Sequence, residues 1–245
     1  MTADAADSPR SPAASEGSAV RFSAEGVRDG FVECVPVAFG VAGYGIVFGM
    51  LARRAGLRVA EAALMSATVL AGAAQLLAIE LWETPLPVVA VIGTTLVVNL
   101  RYVLMGAALR PWFEGLSPAK AYGSVFFIAD ENWALTMGEL TSGSRQGAYL
   151  LGSGLAVWAA WVLATVVGAV AGGLIGDPAR YGLDFVLTAV FLAIAVGLWE
   201  GRSTLLPWLT ALVVAVLSAR YLPGRWYILL GGVAGCLVGV ARVGE

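Results

Sequence analysis

The sequence predicts an all-α polytopic membrane protein of seven or eight transmembrane segments, with room for a re-entrant or broken helix and a degenerate internal repeat. Three observations lead there. Apolar residues make up 59% of the chain and charged residues 13%, against about half and a quarter in soluble domains. Mean hydropathy is +0.81. The apolar residues gather in runs near the roughly 20 residues that a helix needs to cross a bilayer.

The chain opens with a polar tail over residues 1–27, rich in Ala, Ser, Asp and Glu, with Pro9 and Pro12. That composition reads as disordered. It lacks the basic-then-apolar start of a secretory signal. Residues 28–245 are then one transmembrane domain, with apolar runs at 31–52, 60–82, 86–109, 120–140, 148–175, 183–199, 204–220 and 226–242. The first, third and fifth are clear spans, and the last three are shorter. The fourth carries Asp130, Glu131 and Asn132 in its middle. It either lines a polar interior or is re-entrant, which needs cover by protein or water.

The breaks between runs carry suitable residues. Arg53, Arg54 and Arg58 form a short basic loop, Pro85 and Pro87 mark a turn, and Arg110-Pro111-Trp112 reads as interfacial. Trp82, Trp112, Trp199, Trp208 and Trp226 stand near predicted boundaries, as aromatic-belt anchors do. Arg53, Arg54, Arg58, Arg110 and Lys120 give one side a modest basic excess. The positive-inside rule places that side in the cytoplasm and the N-terminus outside.

An internal repeat pairs 31–140 with 148–242. Leu81-Trp82-Glu83 recurs as Leu198-Trp199-Glu200, Pro87 lies near Pro207 in register, and Arg101-Tyr102 recurs as Arg220-Tyr221. Three crossings between the copies would make them inverted, and four would make them parallel. The second copy has lost polarity, with Leu192 opposite Gln75 and Ser218 opposite Asn99.

The chain has no histidine and two cysteines, Cys34 and Cys236, both in apolar runs. The commonest metal ligand and near-neutral base is missing, and neither cysteine fits a metal or disulfide spacing. No cofactor, metal site or enzymatic activity is expected. A net charge of −2 implies no nucleic-acid partner.

Three polar clusters break the apolar runs. Ser66 and Gly72-Ala73-Ala74-Gln75 combine accessible backbone with an amide. They form either a close helix contact glued by Gln75 or an unwound turn that grips a ligand. Asn99 and Arg101 sit mid-span, where Arg costs roughly 2.5 kcal/mol or more and usually faces a partner or a pathway. Residues two apart on a helix point about 200° from each other. Both can face one cavity only if the helix breaks; snorkelling is the bland reading of Arg101. Asp130 and Glu131 must be paired or protonated at such depth, as a proton-coupling or ammonium site, or else lie at a loop tip in water. Glu61 and Glu80 read as interfacial.

These clusters resemble the AzlC family of branched-chain amino acid permeases. The matching residues are Pro36, Phe39-Gly40 and Phe48-Gly49; Ser66 with Ala71-Gly72-Ala73-Ala74-Gln75; Asn99-Leu100-Arg101-Tyr102; and Asp130-Glu131. The resemblance covers residues 28–175 well and the remainder by length and hydropathy. It implies an inner-membrane exporter of valine, leucine, isoleucine or related apolar amino acids, including methionine. It also implies a small, separately encoded membrane subunit of the AzlD type as partner. On that reading Ser66, Gly72, Ala73, Gln75, Asn99 and Arg101 bind substrate, while Asp130 and Glu131 hold the ammonium or exchange a proton. Tyr102 stands where the family often carries His, so a histidine relay at that position is absent. The competing expectation is a membrane scaffold whose polar clusters bind a partner subunit.

Overall fold

In a computed structural model of the chain, residues 20–174, 192, 196, 201, 205–222 and 226–243 are described. They form helices and no β-strand; a lone parallel bridge joins Arg21 to Gln146. The helices are α1 (Ala24–Arg54), α2 (Val59–Thr68), α3 (Gly72–Glu80), α4 (Val88–Asn99) and α5 (Arg101–Ala108). They continue as α6 (Arg110–Phe113), α7 (Pro118–Phe126), α8 (Asp130–Thr141), α9 (Tyr149–Leu174), α10 (Leu205–Tyr221) and α11 (Trp226–Val243). Three are long and apolar enough to cross a membrane: α1, α4 with α5, and α9. Most of the expected run 183–199, with Leu198-Trp199-Glu200 of the repeat, lies outside the described residues.

The frame is the pair α1 and α9. Their backbones approach too closely for a side chain. A Cβ on Gly30 would strike the carbonyl of Tyr149, and one on Gly152 that of Val27; Gly49 and Gly168 are likewise blocked by Thr165 and Ile46. Small residues drive such contacts because lipid gives helices no hydrophobic reason to associate. Early residues of α1 meet early residues of α9 and late meet late, so the two helices run parallel. An odd number of crossings therefore separates them, and α4 with α5 supplies one.

Segments 60–82 and 120–140 each fold as two helices that double back. In the first, Gln75 donates to Ser66 at 3.3 Å, whereas on one continuous helix nine residues rise about 13.5 Å. The turn is Val69–Ala71, with Val69 extended and Ala71 non-helical (φ −136°, ψ 82°). Helix α2 starts beside the C-terminal end of α1, where Arg53 donates to Leu57 O at 2.8 Å. Its C-terminal end meets the middle of α9, where Trp158 donates to Ala67 O. Helix α3 then returns alongside α4.

The second pair enters from the other end. Lys120 of α7 sits over Phe22, and Gln146, just beyond α8, meets Ser23 at the start of α1. Its turn, Phe127–Ala129, is pinned by Asn132. That amide accepts from Ala129 N at 2.6 Å and donates to Phe127 O and Leu150 O. Of the two alternatives for 120–140, the re-entrant one describes its shape.

The third segment runs through Leu100 in right-handed helical conformation (φ −54°, ψ −29°), interrupted in its hydrogen-bond ladder but not in its direction. Two apolar cores result. One packs α1, α9 and the first hairpin around Phe48, Leu76, Ile79 and Trp161. The other packs α5, the second hairpin and the start of α9 around Met105, Leu109, Ile128 and Leu150. Trp112 departs from the belt expected of it: it is wholly buried, with its indole N–H unpaired. Cys34 is buried, Cys236 is exposed, and both are free thiols.

Candidate functional site

The tips of the two hairpins come together halfway along the bundle, and between them lies a cavity of about 400 Å³. Gly72 and Ala73, the first residues of α3, line it from one side. Asp130 and Glu131, the first residues of α8, line it from the other. Two helix N-termini thus face one space, a setting favourable to negative charge.

One turn of α5 touches both tips. Arg101 Nη2 lies 2.9 Å from Asp130 Oδ2, and the neighbouring Tyr102 donates to Leu70 O at 3.3 Å. The ion pair is open: its side chains are 36% and 52% accessible. Arg101 Nε is buried without a partner, so the guanidinium retains an unused donor. The remaining wall is apolar and aromatic, built from Val41, Tyr44, Leu76, Phe127, Trp158 and Trp161.

Of the residues expected from sequence, Ser66, Gly72, Ala73, Arg101, Asp130 and Glu131 line this cavity. Gln75 lies behind the lining. Wholly buried, it accepts from Trp161 Nε1 at 2.8 Å and donates to Ser66, whose hydroxyl is 2.8 Å from Thr165 Oγ1. This chain fastens the first hairpin to α9 and fixes the indole that forms the cavity wall. Asn99 is not among the lining residues, and its Oδ1 is buried without a partner. With no bend at Leu100, the helix presents Arg101 and turns Asn99 away, as the 200° offset requires.

Sequence reading missed Tyr44, Leu70, Trp158 and Trp161. Their signal was available: they are aromatic or bulky residues in the middle of apolar runs, away from the ends where belt residues sit. Among the described residues, no group of His, Cys, Asp and Glu could hold a metal ion.

Fold and site together define a helical membrane protein with a partly polar cavity between two opposed helix hairpins. The family model described as AzlC protein matches residues 36–175, and the chain belongs to that family. Among its relatives, the inner membrane protein YgaZ of Escherichia coli (strain K12) is 29% identical over 227 residues, covering 89% of each chain. The branched-chain amino acid transport protein AzlC of Bacillus subtilis (strain 168) is 25% identical over 206 residues, covering 82% of this chain and 79% of that protein. An uncharacterized membrane protein of Archaeoglobus fulgidus is 30% identical over 177 residues, 71% of this chain and 77% of the relative. No solved structure matches the chain.

Proposed function

We propose that the chain is a secondary transporter that exports branched-chain or related apolar amino acids across the inner membrane, coupled to protons. The observation that carries this reading is the make-up of the cavity: an apolar and aromatic wall with the Arg101–Asp130 pair at its edge. A zwitterion with an aliphatic side chain needs one cationic partner, one anionic partner and an apolar pocket. Arg101, which lines the cavity, serves the carboxylate through its guanidinium, assisted by the backbone N–H groups at Gly72 and Ala73. Asp130 or Glu131 serves the ammonium, and the other carboxyl carries the exchanged proton. Gln75 and Ser66 position the first tip. Asn99 belongs to the site only in a state where α4 and α5 rotate.

The name of the Bacillus subtilis relative supports the substrate class, and that of the Escherichia coli relative supports the inner membrane. A small AzlD-type subunit is part of the proposal by family resemblance. Counterflow of labelled leucine, valine and methionine in proteoliposomes tests it, with and without that subunit and under an imposed pH gradient. Amino-acid-dependent flux that responds to the gradient is expected. No flux in any combination sinks the reading. The scaffold alternative predicts undiminished flux after Gln75, Asn99 and Arg101 are replaced, with loss of co-purification of the small subunit.

A further inference from the structure

The two hairpins obey one spacing. Tyr44 and Tyr102 both line the cavity and stand 58 residues apart. Ser66 and Ser124, both wholly buried on the first arm of a hairpin, are also 58 apart. So are the cap residues Ala71 and Ala129, which open the second arms. At the base of each hairpin a glycine takes a positive φ, 94° at Gly56 and 96° at Gly115. Each hairpin follows a long helix, α1 or α4 with α5, and the two enter the bundle from opposite ends.

One contact breaks this correspondence. Tyr102 donates to Leu70 O, a carbonyl just past the end of α2 and within the first tip. Shifted by 58 residues, the counterpart would run from Tyr44 to Ile128 O in the second tip. Tyr44 lines the cavity without making it. The pairing is crossed as well as lopsided: each tyrosine's target lies in the other unit's hairpin.

We propose that residues 30–81 and 88–139 are inverted repeats of one long helix and one hairpin, and that their tyrosines are alternating latches. Tyr102 holds the α2–α3 tip shut in the state seen here, and Tyr44 holds the α7–α8 tip shut in the opposite state. The cavity then opens at one hairpin only while the other is latched. Each latch is a single hydroxyl on a carbonyl that no helix ladder satisfies, a bond light enough to exchange during turnover.

The inference rests on the transport reading only in treating the cavity as a pathway; its test needs no substrate, so failure of counterflow and failure of the latches are separate outcomes. With Cys34→Ser and Cys236→Ser as background, Val157→Cys places a reporter in the cavity wall. Its labelling rate by a membrane-impermeant maleimide is measured from each face, in sealed vesicles of both orientations. Tyr102→Phe should speed labelling about fivefold from the face that carries Arg58 and slow it from the other, as loss of one hydrogen bond predicts. Tyr44→Phe should do the reverse. Equal effects of both variants, no effect of either, or no labelling from either face overturns the latches. A second series keeps both tyrosines and labels single cysteines. Arg58→Cys and Glu83→Cys should react from one face, and Leu116→Cys and Ser144→Cys from the other. Arg58→Cys and Glu83→Cys reacting from opposite faces overturns the inverted repeat.

Discussion

Arg101 shows what one residue contributes and what sequence alone could say about it. Its cost in an apolar run marked it for function, and its partner Asp130 was among the few candidates that sequence offered. Its angular separation from Asn99 was also legible, because helix geometry is independent of context. The continuity of the helix at Leu100 was not legible, since a local loss of one ladder bond leaves no compositional trace. Replacing Arg101 with Ala should lower leucine counterflow more than tenfold, and Asp130→Asn should lower it comparably, with normal membrane insertion. Arg101→Lys should retain part of the rate, because a point charge replaces a bidentate fork. Wild-type rates in the Ala and Asn variants would remove both residues from the substrate path. Gln75 carries a different expectation. Gln75→Leu leaves the Trp161 indole N–H buried without its acceptor, a cost of about 1–3 kcal/mol. A drop of several degrees in melting temperature in detergent should follow, and an unchanged melting curve would show that the buried chain is slack.

At the scale of elements, the apolar runs located every described helix except α6, which lies in the break after 109, and left open whether 60–82 and 120–140 are single rods. Runs of about 20 residues at 60–82 and 120–140 have the length and hydropathy of a span. Each in fact holds two helices of 9 to 12 residues around a three-residue turn. Length cannot separate one crossing from a pair of half-crossings. The polar and small residues at the turns carried the distinction: Gly72 to Gln75 in one, Asp130 to Asn132 in the other. The α1–α9 contact was illegible for another reason. Glycine is abundant throughout the chain, with 31 residues, and periodicity alone does not say which of them meet a backbone. Gly152→Ala should force α1 and α9 apart, because the added methyl strikes the Val27 carbonyl. Gly40→Ala, where nothing lies within 4 Å, is the matched control. Detergent melting should fall by many degrees in the first variant and stay within about 2 °C in the second; equal melting would show that the interface can relax.

For the molecule as a whole, membrane character and family were readable from composition and four short groups of residues, while the arrangement of the cavity was not. The repeat sought at 117 to 120 residues joins similar words at the ends of apolar runs. The shorter spacing of 58 residues joins positions that differ in residue type yet match in place: Gly72 with Asp130, and Gly43 with Arg101. Unit one is stripped to glycine where unit two carries charge, which hides the kinship from any comparison of letters. The two indoles of the cavity wall, finally, make the protein its own optical instrument. Trp158 and Trp161 are two of eight tryptophans, and both present ring surface to the space a ligand would fill. An aliphatic side chain entering there displaces water from those rings, so titration with leucine should shift the emission to shorter wavelength. Trp161→Phe and Trp158→Phe should each remove part of that signal. Trp226→Phe, on an exposed residue of α11, should leave it intact.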